Sequence, residues 1–320
     1  MPAPTIVLDV DTGTDDALAI LYAVQHPDVA VAGISCVAGN ASLEQVVANT
    51  HKVLDVAGAP LIPVAAGAVK PLIERAQQED AFHGVDGLGG VVLPDTERTA
   101  SPLTAVELLR QQILAADAKV TLVGLAPQTN IAMLLTMHPE VADHLERILF
   151  MGGSAGTGNI TAVAEFNVWQ DPEAATCVIE SGIPVTMYGL DVFTRLTVPE
   201  HHAQRLASAD HPAQRLAGEL LLRRGARADG LSEQAYVGQI GDAGALVYLT
   251  HPELFTTASH PTRVNLSGIG RGQTIVDRRA IAQDAGELGR DPWRTIEVVL
   301  GLDVPAAAQA FLETIDSFAG

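Results

Sequence analysis

Residues 5 to 25 read TIVLDVDTGTDDALAILYAVQ. The first part, Thr5–Val10, is mostly apolar and rich in β-branched residues, which is typical of a buried strand. The later part, Asp16–Gln25, carries apolar residues at helical spacing, and Gly13 permits a tight turn between the two. We therefore predict a strand that ends in an acidic turn and leads directly into a helix.

The same strand-and-helix pattern continues along the chain. Apolar runs typical of strands occur at Thr5–Val10, Val29–Val37, Leu61–Ala65, Val120–Leu125, Arg147–Met151 and Pro184–Leu190. Helices are predicted at Asp16–Gln25, Ser42–Val56, Pro102–Ala115, Pro127–Met137 and Pro172–Ser181. Apolar strands that alternate with helices predict an α/β fold with a mostly parallel central sheet flanked by helices. Such sheets bind ligands at the carboxyl ends of their strands.

The pattern changes after Pro199. Residues 199–222 favour amphipathic helices, and the basic stretch Arg223–Gly230 is typical of a surface loop or a lid. The remaining predicted elements are a helix after Gly241, strands near Arg263–Leu266 and Thr295–Leu300, and a closing helix at Pro305–Phe318. Because the chain contains no repeat or linker, residues 1–320 are predicted to form a single domain.

Composition narrows the class of protein. The chain has 320 residues, 48% of them hydrophobic, which is enough for a substantial core. A net charge of −19 would repel phosphate polymers, so we expect no nucleic-acid partner. No basic leader or long apolar run is present, so we expect a cytoplasmic protein without a membrane partner. Cys36 and Cys177 lie far apart and are predicted to be small buried residues.

The acidic turn contains four carboxylates, Asp9, Asp11, Asp15 and Asp16. Their mutual repulsion is costly without a cation, and hard oxygen ligands favour Ca²⁺ or Mg²⁺ over zinc. Gly13 allows Asp11 and Asp15 to converge from the two sides of the turn. In the alternative interpretation, Asp15 and Asp16 only cap the helix and interact with its positive end, while Asp11 is a turn residue.

Residues 9–20 resemble the signature of the nucleoside hydrolase family, Asp-x-Asp-x-Gly-x-Asp-Asp-Ala-x-Ala-Ile. Further matches follow in the family's order at Gly39-Asn40, His83–Gly89, Pro127–Ala132, Met151–Gly153, Gly158-Asn159, Ala164–Asn167, Asp171–Ala175, Gly189–Val192 and Gly241-Asp242. The resemblance spans residues 5 to about 255 and is to N-ribohydrolases of the inosine-uridine preferring type. It implies a Rossmann-like nucleoside hydrolase fold with a helical and loop C-terminal extension.

The resemblance also implies a reaction, the calcium-dependent hydrolysis of ribonucleosides to ribose and free base in purine and pyrimidine salvage. Asp11 is implied to be both a Ca²⁺ ligand and the general base that activates a metal-bound water. Asp15, Asp242 and the main-chain carbonyl of Leu125 are implied to complete the protein ligands of Ca²⁺. The implied partners are a ribonucleoside substrate and further copies of the chain, as a homodimer or homotetramer.

The residues that the resemblance implies for substrate binding are Asp16, Asn40, His83, Met151, Asn159, Glu165, Phe166, Asn167, Asp191 and Tyr236. Asp16 and Asn40 are expected to bind the ribose 2′- and 3′-hydroxyls, so ribosides should be preferred over 2′-deoxyribosides. Asn159, Glu165 and Asn167 are expected at the 3′- and 5′-hydroxyls. Phe166 is expected near the ring oxygen, where an aromatic face suits a cationic transition state. Without the resemblance, loop turn chemistry would explain the two asparagines and core packing the phenylalanine.

One position departs from the family pattern. Many members carry a histidine immediately before the residue that corresponds to Asp242, and that histidine is credited with protonating the departing base. Gly241 stands there in this chain, so base specificity is open. Activation of the leaving group must come from the base's own chemistry or from another residue, for which His83, Tyr236 and Gln239 are the candidates. We also consider the hypothesis that the missing imidazole leaves room for a larger base.

Two other functions compete with this interpretation. Gly152–Gly156 matches the Gly-x-Ser-x-Gly elbow of α/β-hydrolases, but the residues that follow would break the helix that an elbow requires. A calcium-dependent nucleoside- or ribose-binding protein that has lost turnover through Gly241 is the other alternative. The stretch Gly268–Gly272 is interpreted as a hairpin or surface turn, because no helix pattern follows it as a dinucleotide-binding motif would need.

Overall fold

A nine-stranded sheet runs through the computed structural model, which describes residues 4–75, 84, 86–225, 238–279 and 293–319. The strands are β1 (Thr5–Val10), β2 (Ala30–Cys36), β3 (Val64–Ala66), β4 (Val120–Gly124), β5 (Leu145–Met151), β6 (Val185–Tyr188), β7 (Phe255–Val264), β8 (Thr274–Val276) and β9 (Arg294–Leu302). Their order is β3-β2-β1-β4-β5-β6-β9-β7-β8. All neighbours from β3 to β9 pair in parallel, whereas β7 is antiparallel to both β9 and β8. The predicted α/β class with a mostly parallel sheet is confirmed.

Helices connect most of the strands. They are α1 (Thr14–Gln25), α2 (Leu43–Val56), α3 (Ala105–Ala115), α4 (Thr129–Met137), α5 (Phe166–Gln170), α6 (Pro172–Ile179), α7 (Leu190–Phe193), α8 (Glu200–Ala207), α9 (Pro212–Gly225), α10 (Ala243–Thr250) and α11 (Val304–Asp316). Ser42 and Thr104 begin α2 and α3, and each side chain accepts a hydrogen bond from the main chain of the first turn. No helix of the described chain is long and apolar enough to cross a membrane.

The sheet carries an apolar core on each face. Alternate residues of β1 belong to different clusters: Ile6, Leu8 and Val10 pack with residues of α1, α10 and α11, whereas Val7 packs with residues of α3 and α4. Because successive side chains of a strand point to opposite faces, only a strand covered on both sides is apolar throughout. This packing fixes β1 in the middle of the molecule.

The order of strands reverses at β1. Its neighbours are β2 on one side and β4 on the other, and the chain continues to β3 beyond β2 and to β5 and β6 beyond β4. In open parallel sheets, the ligand-binding crevice lies at the carboxyl ends of the strands where this reversal occurs. The acidic turn follows β1, so the fold places it at that crevice.

Several boundaries differ from the predictions. The third strand begins at Val64 rather than Leu61, because Pro60 and Pro63 have no N–H to donate to a neighbouring strand. The helix α9 extends to Gly225 because its leucines are buried against the core. It therefore includes Arg223, where the sequence predicts the start of a surface loop. Residues 226–230 lie outside the described residues, so their role as a lid stays a prediction.

The C-terminal part differs more. The predicted strand at Arg263–Leu266 overlaps only the last two residues of β7, which runs from Phe255 to Val264. Exposed and half-exposed polar residues hide the strand pattern of β7. Gly268–Gly272 lies between the antiparallel strands β7 and β8, so the predicted hairpin turn is confirmed. Cys177 is exposed on α6, which contradicts its predicted burial, whereas Cys36 is buried as expected. The grouping of residues 1–320 into one domain stays a prediction.

Candidate active site

The acidic turn is buried although it carries four carboxylates. Asp9, Asp11, Asp15 and Asp16 are all at most 5% exposed. Burial disfavours the charged form of a carboxyl group, and nearby carboxylates disfavour it further. The turn therefore stores unfavourable electrostatic energy that a bound cation would relieve.

Asp16 holds the turn closed. Its Oδ1 accepts a hydrogen bond from the main-chain N–H of Asp11 at 3.2 Å, and its Oδ2 accepts one from the N–H of Gly13 at 2.9 Å. Burial, followed by the charge of Asp15, raises the pKa of Asp16 to about 7. Asp16 thus stabilises the first turn of α1 and also lies next to other carboxylates of the site.

Asn40 fixes the carboxylate of Asp11 from the loop that follows β2. Its main-chain N–H donates to Oδ2 at 2.8 Å, and its Nδ2 donates to Oδ1 at 3.0 Å and to Oδ2 of Asp16 at 3.2 Å. A Cβ atom at Gly39 would lie 1.9 Å from Oδ2 of Asp11, so only glycine permits this close approach. Burial and the charge of Asp16 raise the pKa of Asp11 well above its ordinary value.

Three carboxylates gather at the mouth of the turn. Oxygen atoms of Asp15, Asp16 and Asp242 all lie within 4.8 Å of one another, and all three side chains are buried. Asp242 immediately precedes α10, so this cluster joins the beginning of α1 to an element from the other end of the chain. Such a set of oxygen donors fits a hard divalent cation.

The predicted ligands of the metal ion are Asp11, Asp15, Asp242 and the main-chain carbonyl of Leu125. The structure brings Asp15 and Asp242 together and adds Asp16 to them, while Asp11 lies beside the cluster in contact with Asn40. Leu125 follows β4, and its N–H donates to the carbonyl of Asp9 at 2.8 Å, which places it next to the end of β1.

Asn167 and Glu165 form a second wall of polar groups. Nδ2 of Asn167 donates to the carbonyl of Leu125 at 3.1 Å and to that of Met151 at 3.3 Å, so it joins the ends of β4 and β5. The Glu165 carboxylate accepts hydrogen bonds from the N–H groups of Gly153, Asn167 and Val168 at 2.9, 2.9 and 3.1 Å. Burial raises the pKa of Glu165 to about 7.

The other predicted substrate contacts lie nearer the surface. Asn159 is exposed, and its Oδ1 accepts a hydrogen bond from the N–H of Phe166 at 3.0 Å. Phe166 is half-buried, with its ring centroid 6.4 Å from that of Trp169. Asp191 is half-buried and accepts a hydrogen bond from the N–H of Ala155 at 2.8 Å. The hydrogen bond of Asn159 spans seven residues and ties the loop after β5 to the beginning of α5.

Of the three candidate leaving-group acids, the structure describes one. His83 and Tyr236 lie outside the described residues. Nε2 of Gln239 donates to the carbonyl of Thr194 at 3.2 Å. Ser154 is not a nucleophile elbow, because residues 155–165 form turns and loop where an elbow requires a helix.

Two asparagines were missed by the sequence analysis. Nδ2 of Asn49, on α2, donates to the carbonyl of Thr12 at 3.1 Å and to that of Asp86 at 2.9 Å. Nδ2 of Asn130 donates to Oδ1 of Asp9 at 2.8 Å. Asn130 belongs to a matched motif and could have been noticed there, whereas nothing in the sequence around Asn49 distinguishes it from a helix surface residue.

Comparison with known proteins agrees with this geometry. The family of inosine-uridine preferring nucleoside hydrolases matches residues 6–309. The pyrimidine-specific ribonucleoside hydrolase RihA of Shewanella oneidensis is 38% identical over 280 residues, which are 85% of this chain and 86% of the relative. RihA of Escherichia coli is 39% identical over 85% of this chain and 88% of the relative.

The fold is shared with solved structures. The purine-preferring ribonucleoside hydrolase from Gardnerella vaginalis superposes with a TM-score of 0.89 at 29% sequence identity. The superposition covers 98% of this chain and 99% of that structure. The predicted fold and the suspected family are both confirmed.

Proposed function

The chain belongs to the inosine-uridine preferring nucleoside hydrolase family, and we propose that it uses a bound calcium ion to hydrolyse pyrimidine ribonucleosides. Hydrolysis of ribonucleosides is the activity that its relatives share. The observation that carries the metal part of the proposal is the buried cluster of Asp15, Asp16 and Asp242. Three buried carboxylates within one ligand sphere fit a hard cation.

The proposed ligands are Asp11, Asp15, Asp242 and the carbonyl of Leu125. When bound, calcium supplies positive charge that favours deprotonation of a water molecule and binding of the ribose diol. The hydrogen bond from Asn167 supports the Leu125 carbonyl as a polar group at the crevice. Asp16, within 4.8 Å of Asp15 and Asp242, would stand close enough to act on the same ion or on the sugar that it binds.

Asp11 is proposed as the general base. Two hydrogen bonds from Asn40 hold its carboxylate in one orientation. A cation bound beside it would keep the carboxylate ionised and therefore able to accept a proton. A positioned base of this kind takes the proton of the attacking water as the water approaches the anomeric carbon. Positive charge then develops on the ribose ring among carboxylates that stabilise it.

The ribose is proposed to lie between the acidic turn and the wall formed by Glu165 and Asn167. Asp16 and Asn40 would bind the 2′- and 3′-hydroxyls, and Glu165, Asn167 and Asn159 the 3′- and 5′-hydroxyls. Buried polar groups that lose their partners penalise analogues without a hydroxyl, so 2′-deoxyribosides should be poor substrates. Phe166, Met151, Asp191, His83 and Tyr236 remain proposed substrate contacts.

A pyrimidine base is the proposed preference. The two RihA relatives, both named as pyrimidine-specific, are 38% and 39% identical, whereas the purine-preferring structure is 29% identical. His83 and Tyr236 are the proposed sources of a proton for the departing base. Nucleoside salvage in the cytoplasm by a homodimer or homotetramer also stays part of the proposal.

The test is release of reducing sugar from uridine, cytidine, inosine, adenosine and 2′-deoxyuridine, each with calcium and with a chelator. We expect uridine or cytidine to be the best substrate, 2′-deoxyuridine to be poor, and the chelator to abolish turnover. Undiminished turnover in the chelator would contradict the metal assignment. If no nucleoside releases sugar although uridine binds in the presence of calcium, the non-catalytic binding protein would be the correct alternative.

A further inference from the structure

Gly241 adopts a backbone conformation that favours glycine. Its φ is +58°, in the left-handed region where a Cβ atom is unfavourable. It directly precedes Asp242, one of the three clustered carboxylates. In sequence, this glycine stands where many relatives carry a catalytic histidine.

The space where a side chain would begin is already occupied by Asp15. A Cβ atom at Gly241 would lie 2.4 Å from Cβ of Asp15, 2.7 Å from its Oδ2 and 3.0 Å from its Cγ. The nearest of these atoms is attached directly to the main chain of α1, so rotation of the Asp15 side chain would not relieve the clash. A side chain at position 241 therefore forces the main chain at one of the two positions to move.

Two other glycines with positive φ lack such a close approach and serve as a comparison. Gly58 has a φ of +62° and Gly268 a φ of +68°, but a Cβ atom at either would have nothing within 4 Å. Those two positions demand glycine only for their backbone angle. Gly241 demands it both for the angle and for contact with Asp15.

We propose that Gly241 is a positioning residue of the metal site: it brings its main chain against Asp15 and thereby sets the separation of Asp15 from Asp242. The inference rests on the calcium site of the proposed function. It also replaces the hypothesis of an enlarged base pocket, because the Cβ direction of Gly241 leads to Asp15 and not to free space. Relatives with histidine at this position must carry the main chain past Asp15 on a different path. In this chain, introduced histidine would disturb the metal ligands rather than supply a leaving-group acid.

The first test compares calcium affinity by titration calorimetry on metal-free protein. The variants are Gly241→Ala and the matched control Gly58→Ala, which has the same backbone strain without the clash. We expect Gly241→Ala to weaken calcium binding at least tenfold and Gly58→Ala to change it less than twofold. A folded Gly241→Ala variant that binds calcium like the wild type would overturn the inference.

The second test does not depend on metal. Thermal unfolding of metal-free protein is measured for Gly241→Ala in the natural background and in an Asp15→Gly background, which removes the clashing atoms. We expect Gly241→Ala to lower the unfolding temperature strongly in the natural background, and only as much as Gly58→Ala does in the Asp15→Gly background. Equal losses in the two backgrounds would overturn the proposed contact. A Gly241→Ala variant that folds only in the Asp15→Gly background would support it.

These tests separate the inference from the proposed function. If the wild type binds no calcium, the metal assignment is wrong, while the unfolding comparison still decides whether Gly241 positions Asp15. A third variant, Gly241→His, should bind calcium at least tenfold more weakly and gain no activity on inosine. Faster inosine hydrolysis with wild-type calcium affinity would show that position 241 faces the base, against the proposal.

Discussion

Asp9, Asp16 and Glu165 share a pKa raised to about 7, and burial is the largest cause for each. Each carboxylate accepts hydrogen bonds that lower its pKa, but these bonds do not offset the loss of hydration. In the metal-free protein, the site therefore keeps several carboxyl groups close to the pH at which they change charge. Asp9 lies behind Asp11 and is held by Ser35 and Asn130, which makes it a support for the turn.

Replacement of Asp11 by asparagine tests its role as general base. Asn cannot take the proton of water, so we expect Asp11→Asn to lower kcat for uridine by about 10²- to 10⁴-fold at saturating calcium. Ser154→Ala, in the loop that mimics a hydrolase elbow, should keep its activity and serves as the control. Recovery of full activity by Asp11→Asn at higher calcium would reduce Asp11 to a metal ligand.

The titration of Glu165 makes a prediction about stability. Its folded pKa of about 7 lies above the ordinary value of 4.5, so the folded state binds the proton more tightly than the unfolded state does. The stabilisation is fully present below about pH 4.5 and is lost as the pH rises through 7, a change of about 3 kcal/mol.

We therefore expect the free energy of unfolding of the metal-free protein to fall less between pH 5 and 8 in Glu165→Gln than in the wild type. Urea unfolding at a series of pH values measures this difference. Glu44→Gln, at an exposed position on α2, is the matched control. Parallel pH curves for Glu165→Gln and the wild type would show that Glu165 is ionised in the folded protein throughout.

At the level of elements, α2 connects two parts of the site. Asn49 on this helix donates to the carbonyl of Thr12 in the acidic turn and to the carbonyl of Asp86 in the glycine-rich segment, residues 86–90. The Arg223 guanidinium, near the end of α9, donates to the carbonyl of Gly89 in the same segment. The glycine-rich segment is therefore held against the turn by two helices from different parts of the chain.

The substitution Asn49→Ala removes the side chain that joins the acidic turn to the glycine-rich segment. Two carbonyl groups lose their donor, so we expect a loss of about 2 kcal/mol in the free energy of unfolding and a several-fold rise in KM for uridine. Ser42→Ala removes the cap of the same helix and should cost about 1 kcal/mol without changing KM. An unchanged KM in Asn49→Ala would limit Asn49 to a structural role.

At the scale of the whole molecule, the sheet places distant parts of the chain around one crevice. The strand order reverses at β1, and residues following β1, β2, β4 and β5 meet there with Asp242 before α10. The cluster of Asp15, Asp16 and Asp242 joins distant parts of the chain, so a cation bound there would stabilise the folded state as a whole.

Calcium should therefore protect the protein against unfolding. At a free concentration of 100 times Kd, a ligand that binds only the folded state contributes about 3 kcal/mol. We expect the midpoint of urea unfolding to rise with calcium in the wild type and much less in Asp242→Asn. An equal rise in the two proteins would mean that calcium binds elsewhere.

The predictions from sequence were most successful where structure depends on neighbouring residues. The first six strands and most of the helices were found because apolar periodicity, Gly13 and capping residues act locally. β7 was largely missed because Thr256, Thr257 and Ser259, which pair with β9, are exposed or half-exposed and lack an apolar pattern. Its pairing depends on β9, which lies far along the chain.

The sequence by itself determined the strand, turn and helix of residues 5–25 and, through ordered motifs, the family. Only the tertiary structure decided that Asp16 joins Asp15 and Asp242, that Asn49 holds the turn, and that Gly241 lies against Asp15. The physical reason is that the sequence pattern reports which face of a strand or helix is buried. Contacts between residues far apart in the chain depend instead on how the whole sheet and its helices pack.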